Sequence, residues 1–426
     1  MFEEQHHLIL SFMKPLLTLL LILNVSMSFV YADEMDLNRI FNFAKNYDAK
    51  YKTAEIDKTL NKYQADLAYS AFAPSLNFNF TDYSNRPNSS QNTLSVTQPI
   101  FSIQKFEQLS TGAPKNTLAE ALFVAQEQDL ASRVYVAVAN LISQNQAITS
   151  NQVRITTLQK QLDRAARLID LGYGTITDER DVKVRFEQAV ANGMQLEINR
   201  RNAVIQIMSL TNTSIDAKEF LLPESHNLQG SFELNTLLAK VQSSNPGLIA
   251  AKSTEKISSL EAKRQRDQLL PELYVTQSKR WGDVYNDNLT MFNLSMPIDA
   301  SRVIGGLSAS ASEEKAIEVR RQTELQVDML THQLYESVVL GKQALETKKN
   351  AVEAAKLSVD ANERSSVAGV RTTIEVLNSI DTLYQTRNDY AVTAVNLGNS
   401  LLNLLLISGT PPEEAIAQTQ AFLFGK

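Results

Sequence analysis

Cysteine is absent from all 426 residues of the chain. Its absence excludes disulfide bridges, thiolate metal ligands and a cysteine nucleophile, and it also removes the residue that would carry a bacterial lipid anchor. An excess of positive charge is lacking too, because 41 basic residues stand against 47 acidic ones and the formal net charge is −6. Nucleic acid is therefore not a predicted partner, since binding to phosphates needs a basic stripe.

Motifs for catalysis and cofactor binding are also lacking. The sequence contains neither the phosphate-cradling pattern GxxxxGK followed by Ser or Thr nor the nucleophile pattern GxSxG. The four histidines do not show the spacing of metal ligands: His6, His7, His226 and His332. We therefore expect no enzymatic activity, no cofactor and no bound metal.

The N-terminal segment has the layout of a secretory signal peptide. Lys14 precedes the apolar run 16–23, and an acidic pair follows Ala32. This layout predicts a signal peptide over residues 1–32, with cleavage after Ala32. A membrane anchor is the alternative, but polar residues from Asn24 onward end the run short of the ~20 apolar residues that a spanning helix needs.

Beyond residue 32, no segment is apolar enough to cross a bilayer as a helix. Any further membrane contact must therefore use strands. The start of translation stays open between Met1 and Met13, because Met13-Lys14 would itself begin a normal signal peptide.

Landmarks of the first half recur about 197 residues later. Two prolines open strand-like segments, two close them and two glycines break helical segments. The pairs are Pro74 with Pro271, Pro99 with Pro297, and Gly172 with Gly369, at offsets of 197, 198 and 197 residues. A constant offset predicts a duplicated chain. We expect repeats at 33–222 and 223–426, each with a helix, a strand pair (about 74–101 and 271–298), a long helix and a return helix.

A seven-residue apolar spacing follows the long helical stretches of both halves. Its positions are Val134, Leu141, Ile148, Ile155, Leu162 and Ile169, then Val338, Leu345, Val352 and Val359. This spacing predicts left-handed supercoiling. Only Pro114 interrupts residues 103–171, and no proline interrupts 301–368. At ~1.5 Å per residue these helices would extend on the order of 100 Å. The positions three residues after these are mixed, since some are polar and some apolar. This favours packing among several helices over a two-stranded coiled coil.

The four strand segments alternate apolar and small polar residues. Leu76, Phe78 and Phe80 alternate with Asn77 and Asn79, and the other three segments behave alike. A membrane barrel needs this alternation, although a soluble two-sheet sandwich would show it too. Aromatic residues near strand ends favour the membrane: Tyr83, Phe101, Trp281 and Tyr285. Because four strands cannot close a barrel, insertion would require oligomerisation.

These features together resemble the TolC family of outer-membrane efflux and secretion proteins, over about residues 36–409. The most specific segments are 172–178, which includes Gly172 and Gly174, and 369–377, which begins at Gly369. They look like the family's two helix-turn motifs at the periplasmic tip. The resemblance implies a mainly α fold with a small transmembrane β part. Long coiled helices would form a periplasmic α-barrel, and four strands per chain would join a 12-stranded barrel in a homotrimer.

The same resemblance implies a passive conduit in the outer membrane of a Gram-negative bacterium, with a gated periplasmic entrance. Its partners would be outer-membrane lipid, a periplasmic adaptor protein and an inner-membrane transporter. The substrate stays open between small drugs and secreted proteins, with a slight preference for protein secretion because the lipid-anchoring cysteine is missing.

The resemblance also implies gate residues. Arg371 would contact Thr177 or Asp178 of a neighbouring helix pair, and Glu375 would form an acidic ring that favours cations. Asn378 occupies the place of a second acidic ring, so the constriction would be less acidic. Alternatively, Asp178 and Glu375 simply stabilise helix N-termini.

A secreted structural or adhesive coiled-coil protein is the rival interpretation. It would explain the signal peptide and the seven-residue spacing. It does not explain two proline-bracketed strand pairs that recur at the spacing of the helices.

Overall fold

The computed structural model describes residues 36–82, 90–217, 220–223, 233–296 and 299–424. The predicted signal peptide (1–32), Tyr83, His226 and Pro297 lie outside these ranges.

The first repeat contains five helices and two strands among the described residues. These are α1 (Leu37–Tyr47), α2 (Ala49–Tyr69), β1 (Ser75–Thr81), β2 (Gln91–Phe101), α3 (Ile103–Ser110), α4 (Gly112–Asp170) and α5 (Ile176–Thr211). The uninterrupted helix expected from residue 103 is divided, because α3 ends at Ser110 and α4 begins at Gly112. Pro114 falls in the first turn of α4, where its missing N–H costs no helical hydrogen bond.

The second repeat has the same order of elements, except that the single helix α8 stands where the first repeat has α3 and α4, and it ends with an additional helix. These are α6 (Leu234–Ser244), α7 (Pro246–Arg266), β3 (Glu272–Gly282), β4 (Asp287–Ser295), α8 (Ala300–Val367), α9 (Thr373–Ile407) and α10 (Pro412–Phe424). Short 3-10 turns precede β1 and β3. The long helices α4 and α8 contain 59 and 68 residues, which at ~1.5 Å per residue gives the expected extent of about 100 Å.

The duplication extends to the chemistry that begins the helices. Three N-cap side chains in each repeat accept a hydrogen bond from the backbone N–H three residues on. The pairs are Asp48 with Asn245, Ser102 with Asp299, and Thr175 with Thr372, each separated by 197 residues. Such caps satisfy N–H groups that the first helical turn leaves free.

The four strands form one antiparallel sheet in the order β1-β2-β3-β4. In the register, Leu76 lies opposite Val96, and Leu273 lies opposite Leu294. Directly opposed residues point to the same face, so the predicted apolar positions share one side of the sheet. The outer edges of β1 and β4 have no strand partner within the part of the chain that the structure describes.

The helices next to the sheet follow the order of the strands. α2 packs on α4, α4 on α7, and α7 on α8, so α2 and α8 lie at the two ends of this layer. Farther from the sheet, α4 contacts α5 and α9, and α9 contacts α8. Buried Tyr135 of α4 donates a hydrogen bond to the Val395 carbonyl of α9 at 2.6 Å. This bond joins the first repeat to the second.

The expectation that no segment beyond residue 32 could cross a bilayer as a helix was wrong by length and composition, because α9 passes this test, alone among the described helices. Its most apolar stretch is 61% buried against other parts of the protein. A core helix shows the same composition, and the packing of α9 on α4, α8 and α10 accounts for its apolar residues.

Candidate functional site

Two similar turns reverse the chain between each long helix and its return helix. Gly172 and Gly369 both have φ +76°, a left-handed conformation that glycine adopts without steric cost. The following N–H groups, of Tyr173 and Val370, donate to carbonyls in the last turn at 2.8 and 2.9 Å. These are the hydrogen bonds of a Schellman motif. Gly174 allows a close approach, because a Cβ there would lie 2.9 Å from the Ile169 nitrogen.

The predicted constriction residues lie at the start of α9, with Arg371 just before the helix and Glu375 in its first turn. Thr372 and Glu375 form a capping box, in which the Thr372 N–H donates to the Glu375 carboxylate at 2.8 Å. The Arg371 guanidinium donates to the same carboxylate. The Thr372 backbone bond, followed by Arg371, holds the pKa of Glu375 below its ordinary value. These contacts therefore favour the charged form of Glu375.

The first turn of α5 carries Thr177 and Asp178. The N-cap hydroxyl of Thr175 accepts from the Asp178 N–H at 3.1 Å and donates to its carboxylate at 2.7 Å. Both carboxylates, Asp178 and Glu375, thus lie in the first turn of a helix. The predicted contact of Arg371 with Thr177 or Asp178 would join two copies of the chain and stays a prediction.

Asn378 lies one turn beyond Glu375 and faces α5 of the same chain. Its side-chain oxygen accepts from the Arg185 guanidinium at 3.1 Å. Beside it, a buried apolar cluster joins α4, α5 and α9: Leu158, Val182, Ala189, Val376, Leu377 and Ile380. The tip therefore has an apolar anchor with polar contacts at its margin.

The sheet forms a second functional surface at the opposite end of the long helices. Its large apolar residues are 58–75% exposed: Leu76, Phe78, Phe80, Phe292 and Leu294. The other face carries small polar residues, such as Asn77 opposite Ser95. The Trp281 ring lies 6.1 Å from that of Phe78 near the loop end of the sheet, and Phe101 is exposed at the helical end.

The prolines that bracket the strands have different positions. Pro74 and Pro271 immediately precede β1 and β3. Pro99 lies inside β2, where the register to β3 shifts between Pro99 and Phe101. Because proline cannot donate to a strand ladder, such an irregularity is where it is tolerated.

Within the described ranges, no group of three or more His, Asp or Glu residues could hold a metal ion. The polar residues that sequence reasoning missed lie about two to four turns from the tip. Arg154, Arg185 and Asp381 form ion pairs between helices. Comparing the two repeats at the offset of 197 residues could not identify these three residues, because the equivalent positions carry Ala351, Thr382 and Val184.

Comparison with known proteins agrees with this geometry. Residues 50–213 match the family described as outer membrane efflux protein. Outer membrane protein TolC of Escherichia coli is 22% identical, over 94% of this chain and 88% of that protein. Proteases secretion protein PrtF of Dickeya chrysanthemi is also 22% identical, over 95% and 94% of the two chains.

Solved structures share the fold at lower identity. The CmeC outer membrane channel of Campylobacter jejuni has a TM-score of 0.73 at 12% identity, covering 91% of this chain and 89% of that one. VceC of Vibrio cholerae has a TM-score of 0.73 at 14% identity, covering 88% and 96%. In its duplicated strand pairs, its helix-turn motifs and its match to relatives over nearly its whole length, the chain is similar to the TolC family of outer-membrane efflux and secretion channels.

Proposed function

We propose that this chain is one subunit of a homotrimeric duct that conducts substrates passively from the periplasm to the cell exterior. Its four strands would complete a 12-stranded barrel with those of two further copies. Each copy would consist of two repeats, 33–222 and 223–426, and would add two helix pairs to a periplasmic α-barrel.

The sheet is the observation that carries this proposal. Two strand edges, of β1 and β4, have no partner among the described strands, and one face exposes large apolar side chains. In lipid, an open edge leaves N–H and C=O groups without hydrogen bonds, at a cost of several kcal/mol each. Pairing β4 of one copy with β1 of the next removes both edges, and the apolar face then contacts lipid.

The helix layer supports the same head-to-tail assembly. On α2, exposed Ile56, Leu60, Tyr63 and Leu67 form one stripe, opposite the buried face that includes Ala65. Helix α8 also exposes apolar residues, among them Leu325 and Met329. Because α2 leads into β1 and β4 leads into α8, one rotation would bring both open edges and both apolar stripes together.

Lys279 is a charged residue on the apolar face of the sheet, and its position is compatible with the proposal. It lies opposite Leu94, on the face that carries Leu76, three residues before the loop end of β3 at Gly282. A long lysine side chain in this position can place its ammonium group at the level of the lipid headgroups.

We assign the gate to Thr177, Asp178, Arg371, Glu375 and Asn378. Three copies of Glu375 around a narrow axis would form a ring that favours cations. The lowered pKa of Glu375 supports a lasting negative charge, although in each chain Arg371 compensates part of it. Asn378 would add no charge to the ring.

The partners would be a periplasmic adaptor protein and an inner-membrane transporter. Relatives in this family include PrtF and AprF, whose names describe the secretion of proteases, and CmeC, an outer membrane channel. The two secretion relatives support protein export as the role, and drug efflux is the second candidate.

Single-channel recording of the purified full-length protein in planar bilayers tests the duct and its gate. The natural protein should form discrete channels of low conductance. Arg371→Ser should raise the conductance about twofold or more, because it removes a charged contact that holds the tip closed. Absence of channels would contradict the duct. Channels of unchanged conductance in Arg371→Ser would contradict the gate assignment.

A further inference from the structure

We propose that Asp381 is a positioning residue of the gate. It holds α9 against α4 and α5 of the same chain by pairing with two arginines. The inference rests on the proposed function, because it assigns a role in closing the duct. We call Arg154, Arg185 and Asp381 the Asp381 clamp.

The clamp joins three helices through one carboxylate. Arg154 Nη2 of α4 lies 2.7 Å from Asp381 Oδ1, and Arg185 Nη1 of α5 lies 2.6 Å from Asp381 Oδ2. The side chains of Arg154, Asp381 and Arg185 are 15%, 26% and 28% exposed. Ion pairs shielded to this degree are screened less by salt than surface pairs, and removal of one partner is costly.

Neighbouring polar side chains continue the connection between the helices. The Arg154 guanidinium lies 5.1 Å from the centre of the Tyr384 ring, and Asn192 of α5 donates to the Tyr384 hydroxyl at 3.0 Å. The Asn192 side-chain nitrogen also donates to the side-chain oxygen of Asn151 at 3.3 Å, and the Asn151 side-chain nitrogen donates to the Ala189 carbonyl at 2.8 Å. The clamp is therefore part of a network and not an isolated surface pair.

The clamp is not part of the packing that the two repeats share. Asn151 and Asn192 join α4 to α5, and their equivalents 197 residues later, Lys348 and Asp389, join α8 to α9 at 2.7 Å. The three clamp positions, by contrast, correspond to Ala351, Thr382 and Val184. The long helix and its return helix thus pair without a clamp in the second repeat. The clamp is an addition that fastens one repeat to the other.

The clamp can hold the constriction in place because Asp381 lies on the same helix as Glu375. Asp381 lies six residues beyond Glu375 on the same helix, a distance of about 9 Å. Between them, Val376, Leu377 and Ile380 belong to the apolar cluster with α4 and α5. A shift of α9 away from α5 would therefore move Glu375 and break the clamp together.

Asp381→Asn tests the clamp directly. The substitution removes the carboxylate by which α9 attracts Arg154 of α4 and Arg185 of α5, and the loss of this attraction favours separation of α9 from both helices. We expect the single-channel conductance of the full-length protein to rise about twofold or more. Asp389→Asn is the matched control, because it removes an ion pair from the same helix, but one that is 57% exposed and lies within the α8–α9 pair. Its conductance should equal that of the natural protein.

Two further variants separate positioning from stability. Asp381→Glu keeps the charge and should keep the low conductance. Asp381→Asn combined with Arg185→Gln should raise the conductance no further than Asp381→Asn alone, because both changes remove the same ion pair. The thermal stability of the assembled protein is measured alongside, because a merely structural role would lower it in Asp381→Asn without raising the conductance.

Unchanged conductance in Asp381→Asn would overturn the clamp, while the duct itself would stand. A natural protein that forms no channels would overturn the proposed function instead. If Asp381→Asn does not assemble, Arg185→Gln replaces it, because Asp381 then keeps Arg154 as its partner. Arg185→Gln should raise the conductance, and an unchanged value would overturn the clamp.

Discussion

Glu107 and Asp267 bring two carboxyl groups together where the helices meet the sheet. Burial of Glu107, followed by the hydrogen bond to Asp267 and its negative charge, raises the pKa of Glu107 to about 7, while Lys263 and Arg266 oppose the shift. Since this pKa lies above the ordinary value of 4.5, the folded chain binds a proton that the unfolded chain releases. The stability contribution is therefore lost as the pH rises from about 4.5 through 7.

Glu107→Gln should remove this dependence, because a neutral amide can donate to Asp267 at every pH. At pH 8 we expect the melting temperature to exceed that of the natural protein by about 1–3 °C, and at pH 5 the two should agree. Thermal unfolding at both values measures the difference. Glu120→Gln is the control, since Glu120 is exposed on α4 and pairs only with Lys62. An equal difference at pH 5 and pH 8 would contradict the explanation.

Individual residues differed in how well the sequence could assign them. Gly172 and Gly369 could be recognised, because a left-handed turn demands glycine and both interrupt a long helical pattern. Asp381 could not, because an acidic residue on a long helix usually belongs to a solvated face. Its role depends on Arg154 and Arg185, which are distant in sequence and meet it only through helix packing.

Among the elements, α2 offers the most direct test of assembly, because its exposed apolar stripe is proposed to contact a neighbouring subunit. Tyr63 lies on the stripe, whereas the neighbouring Gln64 is exposed and lies about 100° away around the helix. Tyr63→Asp should reduce the amount of assembled protein about tenfold or more, because it places an unpaired charge in an apolar contact. Gln64→Asp should assemble normally.

Size-exclusion chromatography in detergent gives the assembled fraction of both variants. Normal assembly of the Tyr63→Asp variant would show that α2 is not part of the contact between subunits. An equal loss in both variants would show that charge on α2 acts through helix stability and not through the stripe.

At the level of elements, the periodicity of the sequence predicted most of the strands and long helices. Alternation identified the four strands, and the seven-residue spacing identified α4 and α8. The break between α3 and α4 was missed, because Pro114 is compatible with a helical first turn and so marks its start only loosely. The pairing of β2 with β3, which joins the two repeats, could not be predicted from the periodicity of the sequence either, because the paired segments are about 180 residues apart.

For the whole molecule, the structure explains why a single chain is incomplete. The sheet and the helix layer share the same order, and both end in open surfaces at α2 with β1 and at α8 with β4. A contact of unlike ends generates a ring when the rotation closes. Closure would hide the strand edges, cover the apolar stripes and enclose the polar face of the sheet around water.

The mass of the complex extracted from the outer membrane in detergent, measured by native mass spectrometry, tests this closure most directly. The account predicts a mass of three copies and the need for detergent throughout purification. A single copy that stays dissolved without detergent would contradict it.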